Sequence, residues 1–315
     1  MENFIYVVLG LVLLLAIYIG VSYHLFKRVF YYYNDKDMQL VDPTSEFYQE
    51  SYAWYEDVPK EDVHINTYDG LKLHGVYIPS INKNSSHLAI VLHGYQSKGY
   101  DMVIIAKMYS DLGFKVLLVD QRGHGESEGK FTSMGYYEAM DLKKWLHFAS
   151  RTYGSKTEVL LHGVSMGAAT AAMLLKYPES HYVKMMVLDS MFTNFSDSIK
   201  LQLKNSWIRF FIPGVSFVSF LRLKFFLKQV NPLKYIKHSH TPTLFIHSEK
   251  DGVVSKEMTD MLYQHLHVEQ KDILTVEDAR HAKAFEIDKD GYISAVIDLT
   301  SQVFRLKKSD INYTK

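Results

Sequence analysis

Ser165 lies in Gly163-Val164-Ser165-Met166-Gly167, between a run ending in Leu160-Leu161-His162 and the helix formers Ala168, Ala169, Ala171, Ala172, Met173, Leu174 and Leu175. Residues 157–162 read as a buried strand, and the stretch after Gly167 reads as a helix. A serine on so sharp a strand-to-helix turn lifts its hydroxyl above the edge of a sheet. Its neighbours must be small for strand and helix to pack, which Gly163 and Gly167 satisfy. The helix N-terminus then faces the oxygen of any carbonyl under attack. The chemistry on offer is nucleophilic attack on an acyl group, if a histidine and a carboxylate elsewhere in the chain reach that hydroxyl.

The histidine is sought among 15. His281, in Glu277-Asp278-Ala279-Arg280-His281-Ala282, directly follows a strand-like run at 271–276 and precedes a closing helix at 292–304. Three carboxylates end or follow strand-like runs: Asp189 after 185–189, and Glu249 and Asp251 after 243–247. The elements that must carry these groups alternate along the chain. Residues 62–67 and 71–78 flank Tyr68-Asp69-Gly70 as an antiparallel hairpin. Residues 87–92 and 115–119 are apolar runs suited to strands covered on both faces. Helical stretches at 101–112, 134–153 and 255–267 separate the strands. This order predicts a three-layer α/β domain with a mostly parallel sheet and an antiparallel start.

The Gly-x-Ser-x-Gly turn in this context resembles that of the α/β-hydrolase family. The resemblance covers about residues 62–306 and is nearest to membrane-anchored bacterial hydrolases of the serine-esterase or Bem46-like kind. It implies the α/β-hydrolase fold, with helices on both faces of the sheet and a helical cap insert. It also implies a Ser165, Asp251, His281 triad in the family's chain order, with Glu249 and Asp189 as alternative acids. Arg280 stands where the family often has glycine. His93-Gly94-Tyr95 resembles the family's oxyanion loop, so that the backbone N–H groups of Tyr95 and Met166 would hold the developing charge. Asp120-Gln121-Arg122-Gly123-His124-Gly125-Glu126-Ser127 resembles the family's D-x-R-G-x-G-x-S segment. It is read as structural, with Arg122 pairing to Asp120 or to backbone carbonyls, and His124 as a loop histidine rather than the base. The implied activity is hydrolysis of a small-molecule acyl ester through an acyl-enzyme, with no metal and no organic cofactor. A peptidase, an acyltransferase and a ligand-binding protein with an idle triad share the same fold.

The absence of cysteine excludes disulfides, thiolate metal sites and a cysteine nucleophile. A formal net charge of zero gives no sign of a nucleic-acid partner. Residues 4–23 carry no charge and are long enough to span a bilayer, so 1–28 is expected to be a retained single-pass transmembrane helix with lipid as its partner. Lys27, Arg28 and Lys36 after the span favour a cytoplasmic catalytic domain. Residues 29–58 form a junction, with Phe30, Tyr31, Tyr32 and Tyr33 placed in the headgroup region. Within it a helix at 44–55 is expected to pack Phe47, Tyr48, Tyr52, Trp54 and Tyr55 on the first strands. The catalytic domain then comprises 59–190 and 241–315. The cap, 191–240, is aromatic and basic, with no acid from Ser198 to Ser248. Pro213-Gly214 is expected to split it into two helices. Its aromatics either pack on the domain beneath or lie against the membrane to collect acyl substrates.

Overall fold

A computed structural model describes residues 1–31 and 42–306. The apolar N-terminal run forms helix α1 (Glu2–Phe30), and Ser45 caps α2 (Glu46–Asp57) by accepting the amide of Tyr48. Then follow β1 (Glu61–Asn66), β2 (Lys72–Ile78), β3 (His87–Leu92), α3 (Val103–Asp111), β4 (Lys115–Val119), α4 (Glu138–Tyr153), β5 (Glu158–Val164), α5 (Met166–Leu174) and β6 (Val183–Asp189). The insert carries α6 (Phe195–Gln202), α7 (Ile212–Leu223) and α8 (Pro232–Ile236). The chain closes with β7 (Thr243–Ser248), α9 (Lys256–His265), β8 (Lys271–Val276), α10 (Ala284–Ile287) and α11 (Lys289–Phe304).

The strands form one sheet in the order β1-β2-β4-β3-β5-β6-β7-β8, antiparallel at β1-β2-β4 and parallel from β4 onward. The central strands are apolar on both sides because both faces are covered. Helices α2, α3 and α11 bury one face, while α4, α5 and α9 bury the other. Strand order reverses at β3, which has β4 on one side and β5 on the other. Open α/β sheets bind ligands at such a switch, beyond the carboxyl ends of the strands. Ser165 follows the last residue of β5.

Several expectations are corrected. Helix α4 starts at Glu138 rather than 134, because Met134 and Gly135 have φ of 56° and 107°. The Glu138 carboxylate instead gathers the amides of Ser133 and Gly135. The aromatics of α2 pack chiefly on the α3 side and on α10 rather than on the first strands. Tyr52 donates its hydroxyl to the Tyr100 carbonyl at 3.0 Å, and Phe47 stacks on Phe285. Pro213-Gly214 does not split the insert. It lies in the first turn of α7, where a missing N–H costs nothing.

Phe30 is not in the headgroup region. It is fully buried, edge-on to Phe195 and Phe225 of the insert. Tyr31 is half-buried beside Phe26 and Phe131. Tyr32, Tyr33 and Lys36 lie outside the described residues. Helix α1 therefore has two halves. The side chains of Phe4 to Ile19 are mostly bare, whereas Phe26 and Phe30 enter a third apolar cluster with the insert and with Met166 and Ala169 of α5. Helix α1 as a whole is long and apolar enough to cross a membrane.

Candidate active site

The turn after β5 is strained in the way its sequence requires. Ser165 has φ 53° and ψ −110°, a conformation costing a non-glycine residue about 1–3 kcal/mol. Its amide donates to the Asp189 carbonyl at 2.8 Å and its carbonyl accepts from Ala169 at 3.0 Å, so the turn is pinned from both sides. A Cβ on Gly163 would lie 2.4 Å from the Ala168 nitrogen, and one on Gly167 would lie 2.1 Å from the Leu92 oxygen. Only glycine lets β5, α5 and β3 approach this closely.

The three sequence-derived side chains come together. Ser165 Oγ is 2.7 Å from His281 Nε2, and His281 Nδ1 is 2.6 Å from Asp251 Oδ2. A carboxylate facing Nδ1 holds the ring proton there and leaves Nε2 to accept from the serine hydroxyl. The other carboxylate oxygen of Asp251 accepts the amides of Val253 and Val254 at 2.7 and 2.9 Å, which fixes its plane. The loop bearing His281 turns at Asp278 and Ala282, with φ of 60° and 58°. Arg280 is not among its left-handed positions, so its side chain is accommodated without strain.

The alternative acids are elsewhere. Glu249 is exposed at the end of β7. Asp189 is buried one layer below, taking hydrogen bonds from Ser190 Oγ at 2.9 Å and Tyr292 Oη at 3.1 Å. Burial raises its pKa to about 6 against the pull of those donors. Ser190 Oγ also accepts the amide of Ala282 at 3.2 Å. Asp189 thus steadies both the serine, through its carbonyl, and the histidine loop, through Ser190. Behind it, Tyr292 and Tyr109 hold the two nitrogens of His162 at 3.0 and 2.9 Å, and burial pushes that ring's pKa down to about 3.

The loop after β3 is braced by two histidines whose part was not evident from sequence. His93 Nδ1 donates to the Gly94 carbonyl at 2.7 Å, and its Nε2 accepts the Gln121 amide at 3.0 Å. His124 Nδ1 meets the Arg122 carbonyl at 3.0 Å, and its Nε2 accepts the Gln96 amide at 3.3 Å. Each ring needs one protonated and one bare nitrogen, so both are neutral. Burial depresses both, His93 to about 3. The signal was present, since each lies beside a glycine in a loop that follows a buried strand.

Arg122 pairs with neither Asp120 nor a carbonyl. Its guanidinium grips Asp141 through Nε and Nη2 at 2.6 and 2.7 Å and Asp69 through Nη1 and Nη2 at 3.0 and 3.2 Å. Asp120 is already engaged by His74 Nδ1 at 2.7 Å and by the amides of Gly99 and Glu126.

Ser165 and His281 open into a cavity of about 300 Å³, with Tyr95 and Met166 in its wall beside them. Met166 is the first residue of α5, where a helix leaves its amides without intrahelical partners. The remaining lining is mainly apolar, with Met134, Phe192, Phe195 and Val253, and Val29 of α1. No carboxylate lines it among the described residues.

Residues 83–217 match a family model described as serine aminopeptidase, S33. A lysophosphatidylserine lipase of Macaca fascicularis, ABHD12, is 29% identical over 190 residues, which are 57% of this chain and 45% of the lipase. The match therefore spans less than half of that relative. A protein of Saccharomyces cerevisiae named as an uncharacterised membrane protein, YNL320W, is 26% identical over 76% of this chain and 79% of its own. Among solved structures, an esterase of Pyrococcus furiosus, Pf2001, superposes with a TM-score of 0.65 at 22% identity, covering 85% of this chain and 99% of the esterase. That likeness carries the fold.

Proposed function

We propose that the chain, which has the α/β-hydrolase fold, cleaves carboxylic esters of acyl or lipid-like substrates by way of an acyl-enzyme. The observation that carries this reading is the relay from Ser165 through His281 to Asp251 opening into an apolar cavity without a carboxylate. His281 Nε2 takes the hydroxyl proton as Ser165 Oγ forms a bond to the acyl carbon. The backbone N–H groups of Tyr95 and Met166 receive the oxyanion, each such donor contributing about 3 kcal/mol in the transition state. Collapse breaks the bond to the leaving oxygen, which departs as the alcohol with the proton from His281. Water then gives its proton to His281 and its oxygen to the acyl carbon. The acid leaves, and the proton returns to Ser165 Oγ. Asp251 holds the imidazole in its tautomer and stabilises the cation formed in both halves.

The matched family model is named for an aminopeptidase. A substrate ammonium group calls for a carboxylate in its pocket, and among the described residues none lines the cavity; the one acid of the insert, Asp197, is exposed and paired with Lys200. The lipase and esterase among the similar proteins favour the ester reading. Their names, and that of the yeast membrane protein, also support lipid as the neighbour of α1. Lys27 and Arg28 after the apolar span favour the cytoplasmic face for the catalytic domain.

The test is a fluorophosphonate, which should label Ser165 in stoichiometric amount and abolish turnover of a p-nitrophenyl ester. Retained turnover in fully labelled protein would refute the mechanism. An initial burst followed by sustained turnover separates an enzyme from a binding protein that keeps its product.

A further inference from the structure

A second cavity adjoins the active-site cavity. It measures about 290 Å³ and shares Arg28, Val29, Ile199 and Gln202 with the first, so those side chains are the boundary between the two. Beyond those residues it is lined by Leu25 of α1 and by apolar side chains of the insert, among them Ile208, Ile212 and Val215. Leu25 lies one turn, about 6 Å, nearer than Val29 to the bare apolar half of α1. The path from Ser165 therefore heads toward the part of the molecule fit for a bilayer.

The insert is fastened to α1 at that level. Tyr18 accepts the Gly214 amide at 3.1 Å, donates to the Phe210 carbonyl at 3.2 Å and stacks on Phe211. A Cβ on Gly214 would lie 2.1 Å from Ser22 Oγ, so α7 and α1 approach as closely as glycine allows. Tyr18 and Ser22 belong to the uncharged run, which carries this side of the insert to the membrane boundary. There Trp207, Phe210 and Phe217 stand 74%, 70% and 53% exposed, with Arg209 between the first two in sequence and Arg222 over the Tyr23 ring of α1. Exposed aromatics rimmed by cations are the pattern of a surface seated among lipid headgroups.

We propose that α1 is a wall of the substrate site and not only a tether: α1 and the insert enclose a channel through which the acyl chain of a long-chain ester passes from the bilayer to Ser165. A chain taking this route exchanges lipid for mostly apolar side chains, passing Arg28 and Gln202 at the junction of the two cavities. This rests on the ester-hydrolase reading and names the substrate class for it, a long-chain acyl ester resident in the membrane.

The test uses the full chain in phosphatidylcholine vesicles and an alkyl fluorophosphonate with a diazirine at the far end of its chain. After reaction at Ser165 and illumination, crosslinks should map to the peptides holding Leu25 and Val29 and holding Ile208, Ile212 and Val215. Crosslinks confined to other parts of the protein, or to solvent-quenched products alone, overturn the channel while leaving the nucleophile intact. Failure to label Ser165 overturns the underlying reading, and the channel with it. In parallel, Val215→Trp should lower kcat/KM for a dodecanoyl ester relative to an acetyl ester by roughly tenfold or more. An unchanged ratio in active protein also overturns the proposal. The crosslinking result stands whether or not that variant folds.

Discussion

Two histidines in this molecule face an aspartate through Nδ1 at nearly the same distance, and only one is set up for chemistry. His281 has Asp251 at 2.6 Å, and its other nitrogen meets a serine hydroxyl at 2.7 Å. His74 has Asp120 at 2.7 Å, but its other nitrogen meets a second carboxylate, Asp62, at 3.1 Å. A hydroxyl leaves Nε2 free to accept a proton, whereas a carboxylate there demands that the nitrogen carry one. The hydrogen bond to Asp120 raises the His74 pKa to about 9, against burial and with help from Asp62, so the ring is a cation that ties β2 to the loop after β4. An Asp–His pair thus becomes a base or a clamp according to what sits on the second nitrogen.

The comparison is sharpened most by removing what distinguishes the first pair. Ser165→Ala should lower ester turnover by on the order of 10⁴-fold or more, measured as kcat on a short p-nitrophenyl ester. Asp62→Asn beside His74 should leave that kcat within a factor of a few. An equal loss in both would show that the two pairs are not separable. Asp251→Asn comes next, with a loss of about 10³–10⁴-fold in kcat and little change in thermal midpoint, because the imidazole loses the partner that selects its tautomer. Gly167→Ala should destabilise the fold by about 3 kcal/mol, read by denaturant unfolding, since its Cβ meets the backbone of β3. A variant as stable as the parent would mean that β5, α5 and β3 separate more easily than their packing indicates.

The smallest effect concerns the clamp and pH. The folded state raises the His74 pKa from 6.5 to about 9, so its contribution to stability is fully present below pH 6.5 and is lost as pH rises through 9. The stability gap between the parent and His74→Gln should narrow over that window. A gap that stays constant or widens would show that His74 is not held as a cation.

Much of the framework was legible because its strands are apolar runs bounded by turn residues. Residues 87–92, 115–119 and 271–276 are β3, β4 and β8 without adjustment. The Gly-x-Ser-x-Gly turn was legible for a related reason, since its glycines answer local steric demands. What escaped depended on partners distant in sequence. Arg122 takes Asp69 and Asp141, on either side of it by 53 and 19 positions, over nearby Asp120. Asp120 is instead occupied by His74, a member of the hairpin, and by the amides of Gly99 and Glu126. The start of α4 was misplaced because a single carboxylate, Glu138, pays for two positive-φ residues that composition does not reveal.

The order of residues by itself determined the alternation of strand and helix, the strained serine turn and the long uncharged helix at the N-terminus, all of which follow from local periodicity and steric fit. Only the folded chain decided which of Asp189, Glu249 and Asp251 faces His281, which histidines are neutral braces, and that α1 shares an apolar core with the insert above the serine. Those outcomes rest on distances between groups tens to hundreds of positions apart, set by how the sheet stacks its strands and where each helix finds apolar surface to cover.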